Sequence, residues 1–428
     1  MSLIALITVS TILFILGLPI FIVLGVSSLV TLHVEGIPLI TTFLRMFTGL
    51  NKFVYIALPL FLSSALFMNE SGAMESIINF CKSILGKIPG SLGQVNIAAS
   101  VLFAGISGSA LIDSMTIGKL LIPAMIKEGY DKEFSAAITG ASSIIGPVIP
   151  PSTSMIIFGT ITQTSILALF LAGVVPGIMI GIFLGLYCHI ISIRRKYPVY
   201  QGQTSLRKII SSFGKALPAL SIIVIIFWGL FGGIITIAET GGLAALSSLI
   251  IGKLFYKLQW RRIPFILLQV GVSASTIAVI LATANIWSWL AGRLGISEKL
   301  GNFLLQLTSN PIGFLLVTIV FLLVMGAFVE TTANIIIFAP ILTPIAASYG
   351  IGSIHFAWVM VFTLLIGLLT PPFGLVLYVV QDIAGISFEK VVKATLPMIF
   401  VLLIVLLLIT LIPELVTTVP RLVIGTIP

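Results

Sequence analysis

Charge is what this chain has least of. Of 428 residues, 8% are Asp, Glu, Lys or Arg and 58% are apolar, whereas a soluble domain carries about 25% charged residues. That scarcity excludes an ordinary water-soluble fold, and a mean hydropathy of +1.24 points to a polytopic membrane protein. Uncharged stretches run over 2–34, 134–193, 263–292, 300–329 and 331–381. Several of them hold two crossings, since one takes roughly 20 residues. Cysteine is nearly absent too. Cys81 and Cys188 lie far apart in apolar surroundings, which excludes a disulfide framework and reads as packing. The histidines (His33, His189, His355) have no metal-ligand spacing, so a transition-metal site is excluded. No Ser-Lys or Asp-Asp dyad falls at membrane depth, and an intramembrane enzyme lacks its constellation. The opening stretch has neither a basic n-region nor a clear small-residue cleavage site and reads as a retained first helix.

The charge that is present is informative by its placement. A net charge of +9 invites a nucleic-acid partner, but the basic residues crowd into two short loops, Arg194 to Lys215 and Lys253 to Arg262. Cytoplasmic loops of membrane proteins carry such an excess, so the expected surroundings are a lipid bilayer and not nucleic acid.

Taken in order, the sequence predicts a crossing over 3–32, a loop or interfacial piece over 36–52, a second crossing over 53–70 and an amphipathic helix over 70–87. Residues 92–125 are apolar but interrupted at Gly105 to Ser109, with lysines at both ends (Lys87, Lys127, Lys132). Like-charged ends around a broken middle predict a re-entrant hairpin that enters and leaves on one side. A crossing over 134–164 is broken at Gly146 to Ser152, and 166–193 returns. Residues 216–237 go out, Ala238 to Gly242 turns, 243–257 comes back and 264–291 crosses again. Residues 295–307 read as a second interfacial helix, 312–348 as a second interrupted hairpin, 354–381 as a second broken crossing and 394–418 as the last helix. Trp287 and Trp289 fit an interfacial anchor, and Glu239 reads as solvated in an external turn. Counting from the basic loops places the N-terminus in the cytoplasm and the C-terminus outside.

Punctuation then repeats at a constant offset of 221. Gly105 pairs with Gly326, Asp113 with Asn334, Pro123 with Pro344, Gly129 with Gly350, Ala136 with Ala357, Gly146 with Gly367, and Pro150-Pro151 with Pro371-Pro372. The first hairpin opens to the cytoplasm by its lysines; the second, by the count from the basic loops, opens outside. The expected fold is therefore an all-α polytopic membrane protein, an inverted repeat with two re-entrant hairpins and two broken transmembrane helices. That pattern belongs to secondary transporters, whose sites lie near the midplane between the halves.

Backbone freed by Gly, Pro and hydroxyl residues survives at membrane depth only where protein buries it or it lines a wet cavity. Ser107 and Ser109 offer hydroxyls at the first tip. Facing them, the Gly146–Ser152 break, including Val148, offers carbonyls whose donors the prolines remove. Carbonyls and hydroxyls with few carboxylates suit sodium better than calcium. The alternative is that both serines bond back to helix carbonyls. At the mate site Gly326, Glu330, Thr331, Thr332 and Asn334 face Gly367, Thr370, Pro371, Pro372 and Phe373. Glu330 and Asp113 are intramembrane carboxylates, functional by default; each has a structural alternative, for Asp113 a pair with Lys119. No arginine lies in the deep apolar runs. An anionic solute would rely on half-helix N-termini, on Thr153, Ser154, Thr332 or Asn334, or on bound cations.

At these motifs the chain resembles the large membrane subunit of the tripartite ATP-independent periplasmic (TRAP) transporters. The resemblance rests on Gly105-Ile106-Ser107-Gly108-Ser109-Ala110 with Asp113, on Gly140 through Ser152 and on Gly367 through Gly374, and covers essentially the whole chain. It implies an elevator-type member of the ion-transporter superfamily, with sodium-coupled uptake of organic acids and no enzymatic activity or cofactor beyond the coupling ions. It implies a bacterial inner-membrane location, a small four-helix partner subunit and a periplasmic solute-binding protein that delivers the solute. The first sodium site would use Ser107, Ser109 and the 146–152 backbone (Gly146, Val148, Ser152), the second Gly326, Gly367, Thr370 and Phe373. Scaffold would comprise 1–90, 166–309 and 385–428, and the mobile transport part 91–165 and 310–384. Because the chain starts at the large-subunit part, the small subunit is expected as a separate chain. Family members carry sialic acid, C4-dicarboxylates, other sugar acids and keto acids, and no motif selects among them. A stand-alone sodium- or proton-coupled di- or tricarboxylate symporter of the same architecture is the alternative.

Overall fold

Lipid supplies no hydrogen bonds, so a spanning backbone must satisfy itself within helices or a closed barrel. This chain uses helices. The computed structural model describes residues 2–199, 205–233, 235–308 and 310–425, and every regular element among them is helical. Eight spans among the described residues are long and apolar enough to cross a membrane.

The first half runs α1 (Ser2–Ile15), α2 (Ile20–Val34), α3 (Ile40–Leu50), α4 (Ala57–Ser71), α5 (Ala73–Leu85), α6 (Ser91–Ser107), α7 (Ala110–Lys127), α8 (Lys132–Ser143), α9 (Thr153–Thr162), α10 (Ile166–Ala172) and α11 (Val174–Arg194). A connecting pair follows, α12 (Leu206–Phe231) and α13 (Ile237–Leu254). The second half comprises α14 (Ile263–Arg293), α15 (Ile296–Leu307), α16 (Pro311–Phe328), α17 (Thr331–Ser348), α18 (Ser353–Gly367), α19 (Leu375–Ala384), α20 (Phe388–Leu411) and α21 (Glu414–Ile424).

The offset of 221 survives in three dimensions. α7 and α17 begin at 110 and 331 and end at 127 and 348, and α8 and α18 begin at 132 and 353. The Pro150-Pro151 and Pro371-Pro372 bonds are both cis. The copies also exchange partners: α7 packs along α19, and α17 packs along α9. Such an exchange is what a two-fold relation between the halves produces, and the fold is the inverted repeat that the punctuation implies. The first halves of the broken helices form its centre, buried without interruption from Phe134 to Ser143 and from Ile354 to Gly367. Polar groups in that centre are paired. Asn96 Nδ2 donates to Thr139 Oγ1 (2.7 Å), and Ser142 Oγ donates to Asn96 Oδ1 (2.9 Å), joining α6 to α8.

Four expectations are corrected. Residues 3–32 are not one crossing: α1 and α2 fold back on each other around Gly17 (φ 73°) and Pro19. Trp287 is no interfacial anchor. It is 8% exposed, and its Nε1 donates to Ser10 on α1 (3.1 Å). Trp289 instead carries Arg45 and Arg293 over its ring at 4.6 and 5.8 Å. Ala238 to Gly242 is not a turn but the start of α13, set by a capping box in which Thr236 and Glu239 satisfy each other's backbone amides. The span 394–418 is divided, α20 ending at Leu411 and α21 starting at Glu414 after Pro413.

At the end bearing the first basic loop, Arg195 and Tyr197 both donate to Asp131 Oδ2 (2.6 and 2.5 Å), and Tyr197 stacks on Tyr130 (4.5 Å). This cluster fastens the chain leaving α11 to the start of α8.

Candidate ion and solute site

The first tip is built by a glycine. α6 stops at Ser107 because Gly108 adopts φ 62°, where side chains are strained. A Cβ on Gly108 would also collide with the Pro151 carbonyl, so tip and broken helix touch through backbone. Thr153 Oγ1 donates to the Gly108 carbonyl across that contact (3.1 Å). Ser107 Oγ donates to Asp113 Oδ1, and the Ser109 amide reaches Ser107 Oγ (3.5 Å). Ser107 therefore does not bond back to its helix, and Asp113 pairs with it and not with Lys119, which is exposed. Asp113 is fully buried and its Oδ2 has no hydrogen-bond partner in the described structure. Gly146 lies against that oxygen so closely that a Cβ would strike it. Ser152 donates to the Pro147 carbonyl (2.5 Å) and accepts from the Met155 amide (3.3 Å), capping α9.

At the second tip Glu330 is the N-cap of α17. Its carboxylate accepts from the amides of Thr332 (2.8 Å) and Ala333 (3.3 Å) and from Thr332 Oγ1 (3.0 Å). Asn334 Nδ2 donates to the carbonyls of Val329 (2.8 Å) and Met325 (3.3 Å), while its Oδ1, like Asp113 Oδ2, has no hydrogen-bond partner in the described structure. Thr331 Oγ1 donates to the Leu364 carbonyl (3.4 Å), and the Phe373 amide to the Ala327 carbonyl (3.3 Å). Behind the tip, a Cβ on Gly367 would lie 2.6 Å from Gly326 C and 2.7 Å from its Cα, so these backbones meet only because both residues are glycine. Thr370 Oγ1 donates to its own helix, at the Ile366 carbonyl (3.1 Å).

The tips converge on a space of about 40 Å³ bordered by Ser109, Thr153, Ser154, Glu330, Thr331 and Thr332. Beside it opens a cavity of about 640 Å³, within the usual range for ligand sites. Ser107, Ser109, Thr153, Glu330 and Thr332 lie on its tip side, and among the described residues no Lys, Arg or His lines it. Seven expected residues thus border one or both spaces, with Asp113 and Asn334 a turn behind the tips. Val148 is placed differently: its carbonyl lies against Gly173, at the junction of α10 and α11. The proline loops are unequal as well, residues 146–152 being buried and Pro371 to Phe373 exposed, Phe373 by 51%. Sequence reasoning missed Ser273 and Thr276 of α14, the polar groups on the cavity's far wall. Their signal was a cluster of hydroxyls, Ser273, Ser275 and Thr276, inside an uncharged stretch.

Residues 7–415 match the family described as the tripartite ATP-independent periplasmic transporter, DctM component. The chain is 35% identical over 382 residues to the sialic acid TRAP transporter large permease protein SiaM of Vibrio cholerae, covering 89% of each. It is 33% identical to the C4-dicarboxylate TRAP transporter large permease protein DctM of Pseudomonas aeruginosa, covering 88% of each. To the isethionate TRAP transporter permease protein DctMQ of Oleidesulfovibrio alaskensis it is 34% identical, covering 93% of this chain and 63% of that protein. The crystal structure of the Alcanivorax borkumensis YdaH transporter superposes with a TM-score of 0.64 at 14% identity, over 86% of this chain and 87% of that one, a likeness of fold alone. The chain belongs to the DctM component family of TRAP transporters, a family of membrane permeases and not of enzymes.

Proposed function

We propose that this chain is the large membrane subunit of a TRAP transporter that takes up an organic acid driven by sodium. The observation that carries the reading is the repeat pair Asp113 and Asn334. At equivalent positions behind the two tips, each holds one deeply buried oxygen without a donor. A buried, unsatisfied acceptor is costly, and a monovalent cation satisfies it without needing the several carboxylates that calcium would demand. The first ion would draw on Ser107, Ser109, Asp113 and the 146–152 backbone, including Gly146 and Ser152 but not Val148, whose carbonyl lies against Gly173. The second would draw on Gly326, Gly367, Thr370, Phe373 and Asn334.

The solute sits in the space between the tips and the cavity beside it. Ser154 and the amides beginning α7 meet its acidic group, and the two ions supply the positive charge that the cavity wall lacks; Thr153 and Thr332 line the space with hydroxyls already donated to Gly108 and Glu330. Glu330 holds the second tip in shape. Names of similar proteins mention sialic acid, C4-dicarboxylate and isethionate, all organic anions, which agrees with a site that relies on bound cations. The working assembly contains a small membrane subunit and a periplasmic solute-binding protein. It lies in the bacterial inner membrane, with the basic loops and N-terminus in the cytoplasm and the C-terminus in the periplasm. Residues 91–165 and 310–384 form the part that carries the solute, moving by an elevator mechanism against the remaining scaffold.

Reconstitution tests this reading. Liposomes containing the chain and its small subunit take up the acid only with an inward sodium gradient and with the binding protein present. Uptake with no binding protein favours a stand-alone symporter, uptake on a proton gradient without sodium removes the coupling ion, and a reporter placing the 194–215 loop outside overturns the topology.

A further inference from the structure

The 640 Å³ cavity has two unlike walls. On one side stand the hairpin tips. The other is formed by α1, α2, α4 and α14, where Phe14, Leu18, Ile20, Leu58, Leu62, Ile277 and Ile280 are apolar and Ser273 and Thr276 are polar. Positions 273, 276, 277 and 280 fall on one face of α14, at the i, i+3, i+4, i+7 spacing. Elsewhere α14 presents large apolar side chains outward, among them Phe265, Leu267, Leu268 and Val279. A helix in such surroundings gains nothing from hydroxyls unless they are spent locally or face something polar. Ser275 and Thr276 donate to their own helix, at the Gly271 (2.7 Å) and Val272 (3.0 Å) carbonyls, which leaves the lone pairs of Thr276 facing the cavity. Ser273 forms no hydrogen bond among the described residues.

We infer that Ser273 and Thr276 are the scaffold half of the solute site and select acids that carry hydroxyl groups beyond the acidic end. This rests on the transport reading above and adds the solute class to it. The division of labour follows from the walls. The tips hold amides, hydroxyls and the places for cations, so they take the carboxylate. α14 offers one free hydroxyl donor and two hydroxyl acceptors, which match alcohol groups and do nothing for a bare hydrocarbon chain. A polyhydroxylated sugar acid brings alcohols that donate to the Ser273 and Thr276 oxygens as well as a carboxylate for the tips, whereas succinate has no hydroxyl to donate to α14.

The test uses the complete transporter in liposomes with sialic acid and gluconate as hydroxylated probes and succinate as the bare one. The unaltered chain favours the hydroxylated acids. Ser273→Ala with Thr276→Val raises KM for them about tenfold, as the loss of two net hydrogen bonds requires, and changes KM for succinate and the sodium half-saturation by less than twofold. Ser275→Ala, one residue from the pair but off the cavity, leaves KM unchanged. An unaltered KM in the double variant, an equal rise for all three acids, or a preference for succinate overturns the inference. So does loss of the small subunit on purification, which assigns the hydroxyls to assembly. Uptake of these acids that is indifferent to a sodium gradient refutes instead the transport reading itself.

Discussion

Asp113 and Asn334 occupy the same place in the two copies, 221 residues apart, and differ in how they are held. The Asp113 carboxylate receives a hydroxyl from Ser107, whereas Asn334 spends its amide on the Val329 and Met325 carbonyls. Both keep one oxygen in reserve. The first place holds a carboxyl group and the second an amide, so they respond differently to substitution. Asp113→Asn leaves the tip folded and weakens sodium activation about tenfold or more, read as the sodium concentration for half-maximal uptake. Asn334→Ala frees two tip carbonyls and lowers the maximal rate as well. Equal sodium dependence in Asp113→Asn and the unaltered protein would remove the carboxylate from the ion site.

The contact between Gly326 and Gly367 has no room for a methyl group. Gly367→Ala forces the second hairpin off α18 and costs about 1–3 kcal/mol through overpacking. Gly326→Ala, whose Cβ would stand 3.2 Å from the Gly367 Cα and 3.3 Å from the Leu364 carbonyl, costs less. Thermal unfolding in detergent gives the order of the two variants, and the reverse order would contradict the geometry.

Glu330 was legible as an intramembrane carboxylate, and the structure gives it a cap's work. Glu330→Gln keeps an acceptor for the Thr332 and Ala333 amides, so uptake and sodium activation stay within about twofold. Glu330→Ala loses the cap, at about 1 kcal/mol of stability. A Gln variant folded but inactive would show that the charge itself takes part.

Alkali loosens the basic end. Burial pushes the Tyr130 phenol up to about 12 from an ordinary 10, and burial with the neighbouring Asp131 raises Tyr197 above its ordinary value too. Below pH 10 both folded and unfolded phenols are neutral and stability does not depend on them. As pH rises beyond 10, the unfolded phenols ionise first, and stability falls until the folded ones follow. Melting temperatures between pH 9 and 11 drop in the unaltered protein and drop less in Tyr197→Phe. Equal falls would absolve Tyr197.

The repeat was readable because glycine and proline mark breaks regardless of what surrounds them. That placed the hairpin tips, the broken helices and seven of the residues around the two spaces. Other features depended on contacts that periodicity does not carry. Residues 3–32 are uniformly apolar, and the fold-back at Gly17 to Pro19 is chosen by packing between α1 and α2 and by Ser10 meeting Trp287, 277 residues away. The glycines at 241 and 242 look like a turn, but the Thr236–Glu239 box starts a helix before them, and Gly241 lets α13 approach α4. Val148 carries the same proline-freed backbone as its neighbours, and only the fold turns its carbonyl toward Gly173. Ser273 and Thr276 are common residues, and only the cavity distinguishes them from Ser275.

The exchange of partners between the copies has a mechanical consequence. With α7 seated on α19 and α9 on α17, the halves are clasped, and no shear plane can run between them without breaking both seams. Under the elevator mechanism proposed above, relative displacement within this chain occurs around the clasped body. Where α1 and α2 approach the second hairpin, an apolar groove of about 670 Å³ adjoins the 640 Å³ cavity through Phe14, Ile20 and Val329. In that mechanism the groove marks the side on which the clasped body slides against α1 and α2.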